Sequence, residues 1–473
     1  MANGRLRFLE QDEMKRIHET SLKLLENVGV TVNCPSAVNA LKEHGARESE
    51  NGRRILIPEE MVKAALSSAP KEILLAARDP KLDMRIPSTS KTYAACGGEG
   101  AFVKDLLTGD SRYATADDVR DFAYLVDRLD EVDFFVMMVG ALDQPAHLKH
   151  VVELMACLES TRKHIQTMPS TTEVAQRLIR LASEVFGREE LEKRPIFSAI
   201  QCPISPLTFE RGLTESQMEF AKAGIPVVAM VATVAGLTSP VTLSGTLAQV
   251  NAENLASLVI SQSTRKGAPW VYSSDSSAGD LRTGSIDYGA FETQLIRAGA
   301  GQMGRFYGLP TMVAAIGLEA IATSLTSVQE GIPFMIIQAL PDSDLASGLG
   351  GVDQAAGASF EQLVADAWVW EAAKNFTRTF DFDAAAISYD TLVEGCLDGN
   401  YLKKRHTLER FREEFAAVNH PDSVLTSREE KGAKGDLIKK AHKEARRILA
   451  QPREPVLSKG EENEMHRMLR EWR

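Results

Sequence analysis

The sequence predicts a (β/α)8 barrel of the TIM type, an α/β fold, with helical extensions at both ends of the chain. Its main support is a repeated pattern, because Gly224-Ile225-Pro226, Gly267-Ala268-Pro269 and Gly308-Leu309-Pro310 recur at intervals of 43 and 41 residues. Glycine takes the left-handed conformation that ends many helices, and proline is tolerated at the first position of a strand. The near-continuous apolar run after each proline is typical of parallel strands buried on both faces and joined by helices.

Eight strands can be counted outward from this repeat, at residues 92–96, 133–139, 162–168, 195–201, 226–233, 269–274, 310–316 and 342–348. Helices with apolar residues at helical spacing alternate with them, at residues 118–129, 146–158, 172–186, 208–223, 242–263, 291–307, 327–339 and 360–375. Ser205-Pro206 and Ser239-Pro240 are interpreted as helix starts, with a capping serine before a proline. The alternative fold is an open, doubly wound sheet.

The chain is longer than a bare barrel needs, since its 473 residues exceed the ~250 residues typical of that fold. We assign residues 1–91 to an N-terminal extension packed on the barrel, with an amphipathic helix at residues 11–27. Residues 92–379 form the catalytic barrel, and residues 380–473 form a helical C-terminal extension. The charged end of that extension is typical of helices with a solvated face.

Composition narrows the class of protein. A net charge of −11 argues against a nucleic-acid partner, which would require a basic surface. The sequence has no apolar segment of the ~18 residues that cross a membrane and no signal-peptide pattern, so we expect a cytoplasmic protein without a membrane partner. The five scattered cysteines are expected to be free thiols.

Common catalytic motifs are absent from the sequence, including G-x-S-x-G, the Walker loop, H-E-x-x-H and C-x-x-C. His147 and His150, with Cys157 further on, make a poor zinc site, and we expect no bound metal. Lys163 begins its strand, which argues against a Schiff-base lysine at the C-terminal strand ends. Gly348, Gly350 and Gly351 follow the last strand, where barrels often bind phosphate. Their backbone is a candidate cofactor-binding segment, although a plain flexible loop explains it equally well.

Aromatic, carboxylate and amide side chains collect at the predicted C-terminal strand ends and the loops that follow them. They include Glu99, Gln201, Trp270, Tyr272, Asp275, Arg282, Tyr288 and Glu319. Aromatic rings beside carboxylates bind a quaternary ammonium well, because such a cation donates no hydrogen bond and depends on cation–π attraction and charge. The alternative is that Trp270 and Tyr272 fill the barrel or pack against its helices.

Several long motifs in the chain resemble the trimethylamine methyltransferase family. The central ones are Ala-Gly-Leu-Thr-Ser-Pro-Val-Thr-Leu-Ser-Gly at residues 235–245, Asn-Ala-Glu-Asn at residues 251–254 and Asp-Leu-Arg-Thr-Gly at residues 280–284. Flanking matches lie at residues 21–30, 163–164, 205–207, 399–402 and 406–407. The resemblance extends from about residue 9 to about residue 449.

The resemblance implies a barrel that moves a methyl group from a methylated amine to the cobalt of a corrinoid carried by a separate protein. Family members specific for trimethylamine carry pyrrolysine after the seventh strand, whereas residues 317–324 here are ordinary amino acids. The chain is therefore similar to the pyrrolysine-free branch, which demethylates glycine betaine, proline betaine or carnitine. The resemblance also implies a homo-oligomer. The corrinoid is expected on a cognate partner protein, because the Asp-x-His-x-x-Gly sequence of such partners is absent here.

Quaternary amines are chemically reasonable substrates for the pyrrolysine-free branch. Their leaving group is already a neutral tertiary amine, so methyl transfer needs orientation rather than a general acid. We expect glycine betaine as the substrate and assign the candidate residues as follows: Glu319, His164 and Gln201 as catalytic or polar support, and Trp270, Tyr272, Arg282, Tyr288 and Glu99 as substrate-binding. Arg282 would bind the substrate carboxylate, unless it is a structural partner of Asp280.

Two other functions are compatible with the sequence. One is a barrel lyase or isomerase acting on a phosphorylated small molecule, which rests on the glycines at residues 348–351 alone. The other is a non-catalytic relative that binds an osmolyte or a corrinoid protein.

Overall fold

A ring of eight parallel strands forms the centre of the computed structural model, which describes residues 7–88, 91–314, 333–338, 343–375, 380–415 and 437–473. The strands are β1 (Tyr93–Cys96), β2 (Phe135–Val136), β3 (Ile165–Thr167), β4 (Phe197–Gln201), β5 (Val227–Val231), β6 (Trp270–Ser274), β7 (Thr311–Ala314) and β8 (Leu345–Leu349). They pair in the order β1-β8-β7-β6-β5-β4-β3-β2. A parallel bridge between Ala95 and Phe134 joins the two ends of this sheet. The predicted (β/α)8 barrel is therefore confirmed.

Helices surround the barrel and form both ends of the chain. They are α1 (Gln11–Asn27), α2 (Pro35–Glu43), α3 (Glu59–Ser68), α4 (Ala116–Arg128), α5 (Lys149–Ser160), α6 (Thr172–Phe186), α7 (Arg188–Lys193), α8 (Arg211–Ala223), α9 (Leu243–Thr264), α10 (Phe291–Phe306), α11 (residues 333–338), α12 (Phe360–Lys374), α13 (Ala384–Ile387), α14 (Tyr389–Asp398), α15 (Arg405–Glu414), α16 (Leu437–Leu449) and α17 (Lys459–Trp472). No helix in the described ranges is long and apolar enough to span a membrane.

Short strands outside the barrel form smaller sheets. They pair Thr31–Val32 with Thr208–Phe209, Arg47–Glu48 with Ile55–Leu56, and Ile73–Leu75 with Met84–Ile86. A four-stranded sheet contains Phe102–Lys104, Ser111–Tyr113, Gly351–Val352 and Gly357–Ser359, and a three-stranded one contains Val234–Ala235, Ser277–Asp280 and Ser285–Asp287.

The glycine–proline repeat acts in the way its sequence predicts. Gly224 ends α8 in the left-handed conformation, with φ 74°, and Gly267 and Gly308 have φ 81° and 64°. An L side chain avoids this region, whereas glycine enters it at little cost. The strands that follow are buried on both faces, as in the fully buried β5 and β6.

Alternate residues of each barrel strand point inward. The strand register places four side chains at each level of the interior, contributed by every second strand, which is the arrangement of a TIM barrel. From the bottom upward the levels are Phe134, Ser198, Val271 and Leu345; Ala95, Gln166, Val228 and Met312; Val136, Ile200, Ser273 and Ser347; and Gly97, Met168, Met230 and Ala314. Most of the apolar members form one buried cluster, against which Met168 packs.

A hairpin from the N-terminal extension closes the bottom of the barrel. Its strands, Ile73–Leu75 and Met84–Ile86, carry apolar side chains that belong to the same buried cluster as the barrel interior. Ala76 N–H donates to Pro195 O at 3.1 Å, which ties the hairpin to the start of β4. The opposite end, where the strands end at their C-termini, is the mouth of the barrel.

Both chain ends pack on the outside of the barrel. The Ser21 hydroxyl of α1 donates to Ala248 O of α9 at 2.8 Å. Helix α16 buries Ala441 and Ala445 against α4 and α12, and α17 is linked to the N-terminal extension by an ion pair between Arg78 and Glu461 at 2.9 Å.

Some predicted elements differ from the structure. Ser205-Pro206 and Ser239-Pro240 do not begin helices, because α8 and α9 start at Arg211 and Leu243. The Ser205 hydroxyl donates instead to Glu253 Oε2 at 2.7 Å, so a polar contact replaces the predicted cap. The predicted second strand, residues 133–139, shortens to β2. The end of the predicted seventh strand and most of the helix predicted at 327–339 lie outside the described residues.

Candidate active site

Cys202 and Asp275 lie at the mouth of the barrel, at the upper ends of two inward-facing rows. Cys202 follows β4 and continues the alternation of Ser198 and Ile200, and it packs against the apolar cluster inside the barrel. Asp275 follows β6 in the same way above Ser273, and its N–H donates to Val231 O at 2.7 Å. The two strand ends therefore place a thiol and a carboxylate at the top of the barrel interior.

Arg297 of α10 holds the Asp275 carboxylate. Its Nη2 donates to Asp275 Oδ1 at 2.6 Å, and its Nε donates to Ser276 O at 3.2 Å. The arginine side chain is fully buried, whereas 27% of the aspartate side chain is exposed. The Tyr288 ring covers the guanidinium, with 5.3 Å between its centroid and Arg297 Cζ. The exposed part of this group is therefore its anion.

Burial and the charge of Asp275 determine the protonation of its neighbours. Burial raises the pKa of Asp275, and the Arg297 guanidinium opposes that rise. The pKa of Tyr288 is raised, first by the charge of Asp275 and then by burial. Burial raises the pKa of the Cys202 thiol to about 12, with a smaller contribution from Asp275. The phenol and the thiol are therefore neutral near pH 7, and the negative charge of the mouth is assigned to Asp275 from its ion pair with Arg297.

Glu99 adds a second acidic group beyond the end of β1. It has a φ of 44°, and its carboxylate accepts from Lys149 Nζ at 2.9 Å. Burial raises the pKa of Glu99, and the Lys149 ammonium lowers it. Glu99, His150 and Glu153 could each offer an atom to a metal ion, because these atoms lie within 4.8 Å of one another. Lys149 Nζ is also 3.7 Å from Glu153 Oε1, so the lysine ammonium already offsets part of the negative charge of this cluster.

The interior beneath the mouth is lined by flexible apolar side chains and by polar groups, two of which lack hydrogen-bond partners among the described residues. Met168 and Met230 form the upper level, and Met312 lies two levels lower. Among them, the amide nitrogen and oxygen of Gln166 and the Ser273 hydroxyl are buried without a hydrogen-bond partner in the described part of the chain. Buried polar atoms normally have partners, so these groups mark a position where a ligand could bind.

Trp270 and Tyr272 do not reach the mouth. Trp270 Nε1 donates to Ser257 Oγ at 3.4 Å, and the Tyr272 hydroxyl donates to Asn251 Oδ1 at 3.2 Å, both on α9. Their outward positions put Val271 inside the barrel instead. The predicted place of both rings around a substrate is wrong, and the alternative, packing against the helices, is found.

His164 and Gln201 are also placed away from the mouth. His164 precedes β3 at the bottom of the barrel, where its ring nitrogens contact Ala76 O and Ser198 Oγ, both at 2.9 Å. Burial lowers the pKa of His164 to about 4, so the ring is neutral and has both positions filled. Gln201 ends β4 but faces α8, and its Nε2 donates to Pro169 O at 3.1 Å. Their predicted support of the substrate is therefore corrected to a structural role.

The structure treats the remaining predicted site residues in different ways. Arg282 is 91% exposed at the tip of the hairpin after β6 and pairs with Asp280 at 3.2 Å, so its predicted role as a carboxylate clamp gives way to the structural alternative. The structure brings Tyr288 and Glu99 to the mouth, where their contact with substrate stays a prediction. Glu319 lies outside the described residues.

Packing explains the glycines at the end of β8 and directly after it. Gly348 and Gly350 have φ 118° and 85°, and a Cβ on Gly350 would lie 2.8 Å from Leu363 Cβ. The Gly350 N–H donates to Asp366 Oδ2 at 2.9 Å, so this amide is not available to a phosphate. Gly351 begins a strand of the small sheet at the mouth. The predicted cofactor-binding role of Gly348, Gly350 and Gly351 is not supported by this geometry.

Asp366→Asn is expected to remove a pH-dependent loss of stability. Burial raises the pKa of Asp366 to about 7, against about 4 in an unfolded chain. The folded state therefore holds an extra proton between these values, and stability falls as the pH rises from about 4 to about 7, by on the order of 4 kcal/mol. Asparagine has no such proton to lose, so the melting temperature of the variant relative to wild type should increase between pH 5 and pH 8.

The control for this measurement is Asp12→Asn, since the Asp12 side chain is 82% exposed. Its melting temperature should follow that of wild type at every pH. Parallel pH profiles for wild type and Asp366→Asn would contradict the raised pKa.

Sequence reasoning gave no role to four residues of this site: Cys202, Asp275, Arg297 and Gln166. A signal existed for Asp275, because it directly follows the predicted sixth strand, and the C-terminal strand ends of a barrel carry its functional residues. Arg297 carried another signal, since it is the one basic residue within the buried stretch of α10, between Ile296 and Ala298. A buried arginine normally requires an acidic partner.

The barrel and its charged mouth define a TIM-barrel enzyme. The chain belongs to the trimethylamine methyltransferase family, whose model matches residues 2–471. A trimethylamine methyltransferase of Methanosarcina barkeri is 30% identical over 409 residues, which cover 85% of this chain and 82% of the relative. A glycine betaine methyltransferase of Desulfitobacterium hafniense is 26% identical over 420 residues, covering 86% and 85% of the two chains. The predicted family and the predicted methyltransferase class are thus confirmed.

A solved structure supports the fold independently. The monomethylamine methyltransferase of Methanosarcina barkeri matches with a TM-score of 0.55 at 13% identity, covering 94% of this chain and 88% of that chain. At this identity the likeness shows the shared fold alone.

Proposed function

We propose that this methyltransferase moves a methyl group from a quaternary amine, with glycine betaine as the preferred substrate, to the Co(I) of a corrinoid on a separate protein. The observation that supports this most directly is the partly exposed Asp275 carboxylate at the mouth, above an interior lined by methionines. An anion next to flexible apolar side chains matches a cation surrounded by methyl groups. The named activity of the Desulfitobacterium relative adds support for a betaine.

In this reaction the residues of the mouth would bind the substrate and exclude water. The carbon–nitrogen bond breaks with its electron pair on nitrogen, so a neutral tertiary amine leaves and no proton is transferred. The Co(I) centre supplies the nucleophile. Asp275 would hold the ammonium beneath the opening, and Met168 and Met230 would keep water from the nitrogen. The high pKa values of Cys202 and Tyr288 are compatible with this scheme, because neither group is needed as an acid or a nucleophile.

The structure gives less support to a phosphorylated substrate. The Gly350 amide is already bound to Asp366, so this amide cannot donate to a phosphate. The proposed enzyme is a cytoplasmic homo-oligomer. Glu99, Tyr288 and Glu319 are proposed to contact its substrate.

A methyl-transfer assay tests the proposal. Purified protein is mixed under anaerobic conditions with cob(I)alamin and one amine at a time: glycine betaine, proline betaine, carnitine, tetramethylammonium or trimethylamine. Absorbance should show methylcobalamin with a quaternary amine and none with trimethylamine. Product from trimethylamine alone would overturn the proposal. Betaine binding without any product, in the presence of cob(I)alamin, would indicate the non-catalytic alternative.

A further inference from the structure

We propose that Arg297 binds a carboxylate of the substrate, so that the site selects zwitterionic quaternary amines over simple cations. This inference rests on the proposed function and specifies its substrate class. Its basis is the geometry of the Asp275–Arg297 pair at the mouth, in which an acid and a base lie side by side with 2.6 Å between Oδ1 and Nη2.

The guanidinium has donors that this pair does not use. Arginine carries five N–H groups on three nitrogen atoms. Nη2 donates to Asp275 and Nε donates to Ser276 O, whereas Nη1 is buried without a partner in the described part of the chain. An unpaired donor on a fully buried cation is costly, and a ligand carboxylate is the acceptor that a guanidinium binds best.

The charge of the Asp275–Arg297 pair gives a second reason to expect a zwitterionic substrate. Arg297 balances the charge of Asp275, so the pair is neutral as a unit. A simple cation would meet an acid whose field is already compensated, and it would bring an unbalanced charge to a partly buried position. A betaine is also neutral as a unit, and it carries an ammonium and a carboxylate only a few bonds apart. It can place its ammonium beside Asp275 and its carboxylate beside Arg297.

The surroundings keep the guanidinium in place for this task. The Tyr288 ring lies over Arg297 Cζ at 5.3 Å, so one face of the guanidinium is covered, and Nη1 is the nitrogen left without an acceptor in the described residues. Arg297 is anchored in α10, which packs on β6 and β7. A carboxylate-binding arginine that is already ordered loses little side-chain entropy when the ligand arrives.

Calorimetric titration of two ligands, glycine betaine and tetramethylammonium, tests the inference, because both carry methylated ammonium groups and only the first carries a carboxylate. Wild type should bind glycine betaine at least about 10-fold more tightly. Arg297→Gln should weaken betaine binding by about 30-fold, the effect of losing a charged hydrogen bond, and leave the binding of tetramethylammonium unchanged or stronger. The matched control is Arg282→Gln, an exposed arginine of the neighbouring hairpin that also pairs with an aspartate, and it should change neither affinity.

Two further variants make each outcome decisive. Arg297→Lys keeps a cation beside Asp275 but lacks the planar set of N–H donors of a guanidinium. This variant should therefore fold, even if Arg297→Gln does not, and its betaine affinity should still fall by about 10-fold. Gln166→Leu removes the unpaired amide of the interior, and a selective loss of betaine binding in this variant instead of the arginine variants would overturn the inference. Equal wild-type affinity for the two ligands would also overturn it, while methyl transfer from a quaternary amine to the corrinoid would still stand. Failure of every quaternary amine to bind or to give methylcobalamin would instead reject the proposed function.

Discussion

Asp275→Asn is expected to weaken the binding of a quaternary amine by about 100-fold and to reduce methyl transfer at low substrate concentration by a similar factor. The carboxylate is the exposed anion of the mouth, and Arg297 holds it in place. Removing one member of a partly buried charge pair costs roughly 2–5 kcal/mol, and each ~1.4 kcal/mol is a factor of ten in affinity. Asparagine keeps the shape and can still accept a hydrogen bond from Arg297, so the change mainly removes charge.

Calorimetry and the cob(I)alamin assay measure the two parts of this prediction. The control is Asp280→Asn, a change on the hairpin after β6, where Asp280 pairs with Arg282 away from the mouth. Its affinity and rate should stay within about twofold of wild type, since its partner Arg282 is 91% exposed and surface ion pairs contribute little. Wild-type affinity in Asp275→Asn, with the melting temperature unchanged, would remove Asp275 from the substrate site.

The barrel could be predicted from the sequence because its signals are local. Gly224 and Gly308 adopt the left-handed conformation that the glycine–proline pattern requires, and the apolar runs after them are long enough to be recognised as buried strands. The hairpin of Phe102–Lys104 and Ser111–Tyr113 is equally local, with Gly109 at a positive φ between its strands. A turn or a helix end is determined by a few neighbouring residues.

The contents of the site could not be predicted in the same way. Trp270 and Val271 are both buried, and both faces of a central parallel strand are apolar, so no alternation in the sequence shows which of them enters the barrel. A shift of one position exchanges the two faces. That exchange sends Trp270 and Tyr272 to α9 and leaves Ser273 and Asp275 inside.

Contacts between distant residues were a second source of error. Arg282 lies two positions from an aspartate, and the structure confirms that local pair. Arg297 meets Asp275 only because the hairpin of Ser277–Asp280 and Ser285–Asp287 folds back and returns the chain to α10 beside β6. Such a pair depends on the path of the chain in space, which spacing along the sequence does not give.

Asp344→Ala is expected to be among the most destabilising changes in the barrel. Asp344 precedes β8 and is fully buried, and its carboxylate connects three parts of the structure. Oδ1 accepts from Ser88 N at 2.6 Å and from Arg305 Nη2 at 2.5 Å, and Oδ2 accepts from Thr311 N at 2.8 Å. One side chain therefore joins the segment before β1, the end of α10 and the start of β7.

Alanine removes all of these acceptors at once, and removing one partner of a buried ion pair costs roughly 3–5 kcal/mol. The measurement is the urea midpoint of unfolding, followed by circular dichroism. The control is Asp117→Ala, which deletes a carboxylate that is 88% exposed and pairs with Arg120, a change worth less than about 1 kcal/mol. Similar midpoints for the two variants would show that the Asp344 contacts do not hold the barrel closed. A large shift for Asp344→Ala alone would show that its carboxylate fastens β7 and β8 to the rest of the ring.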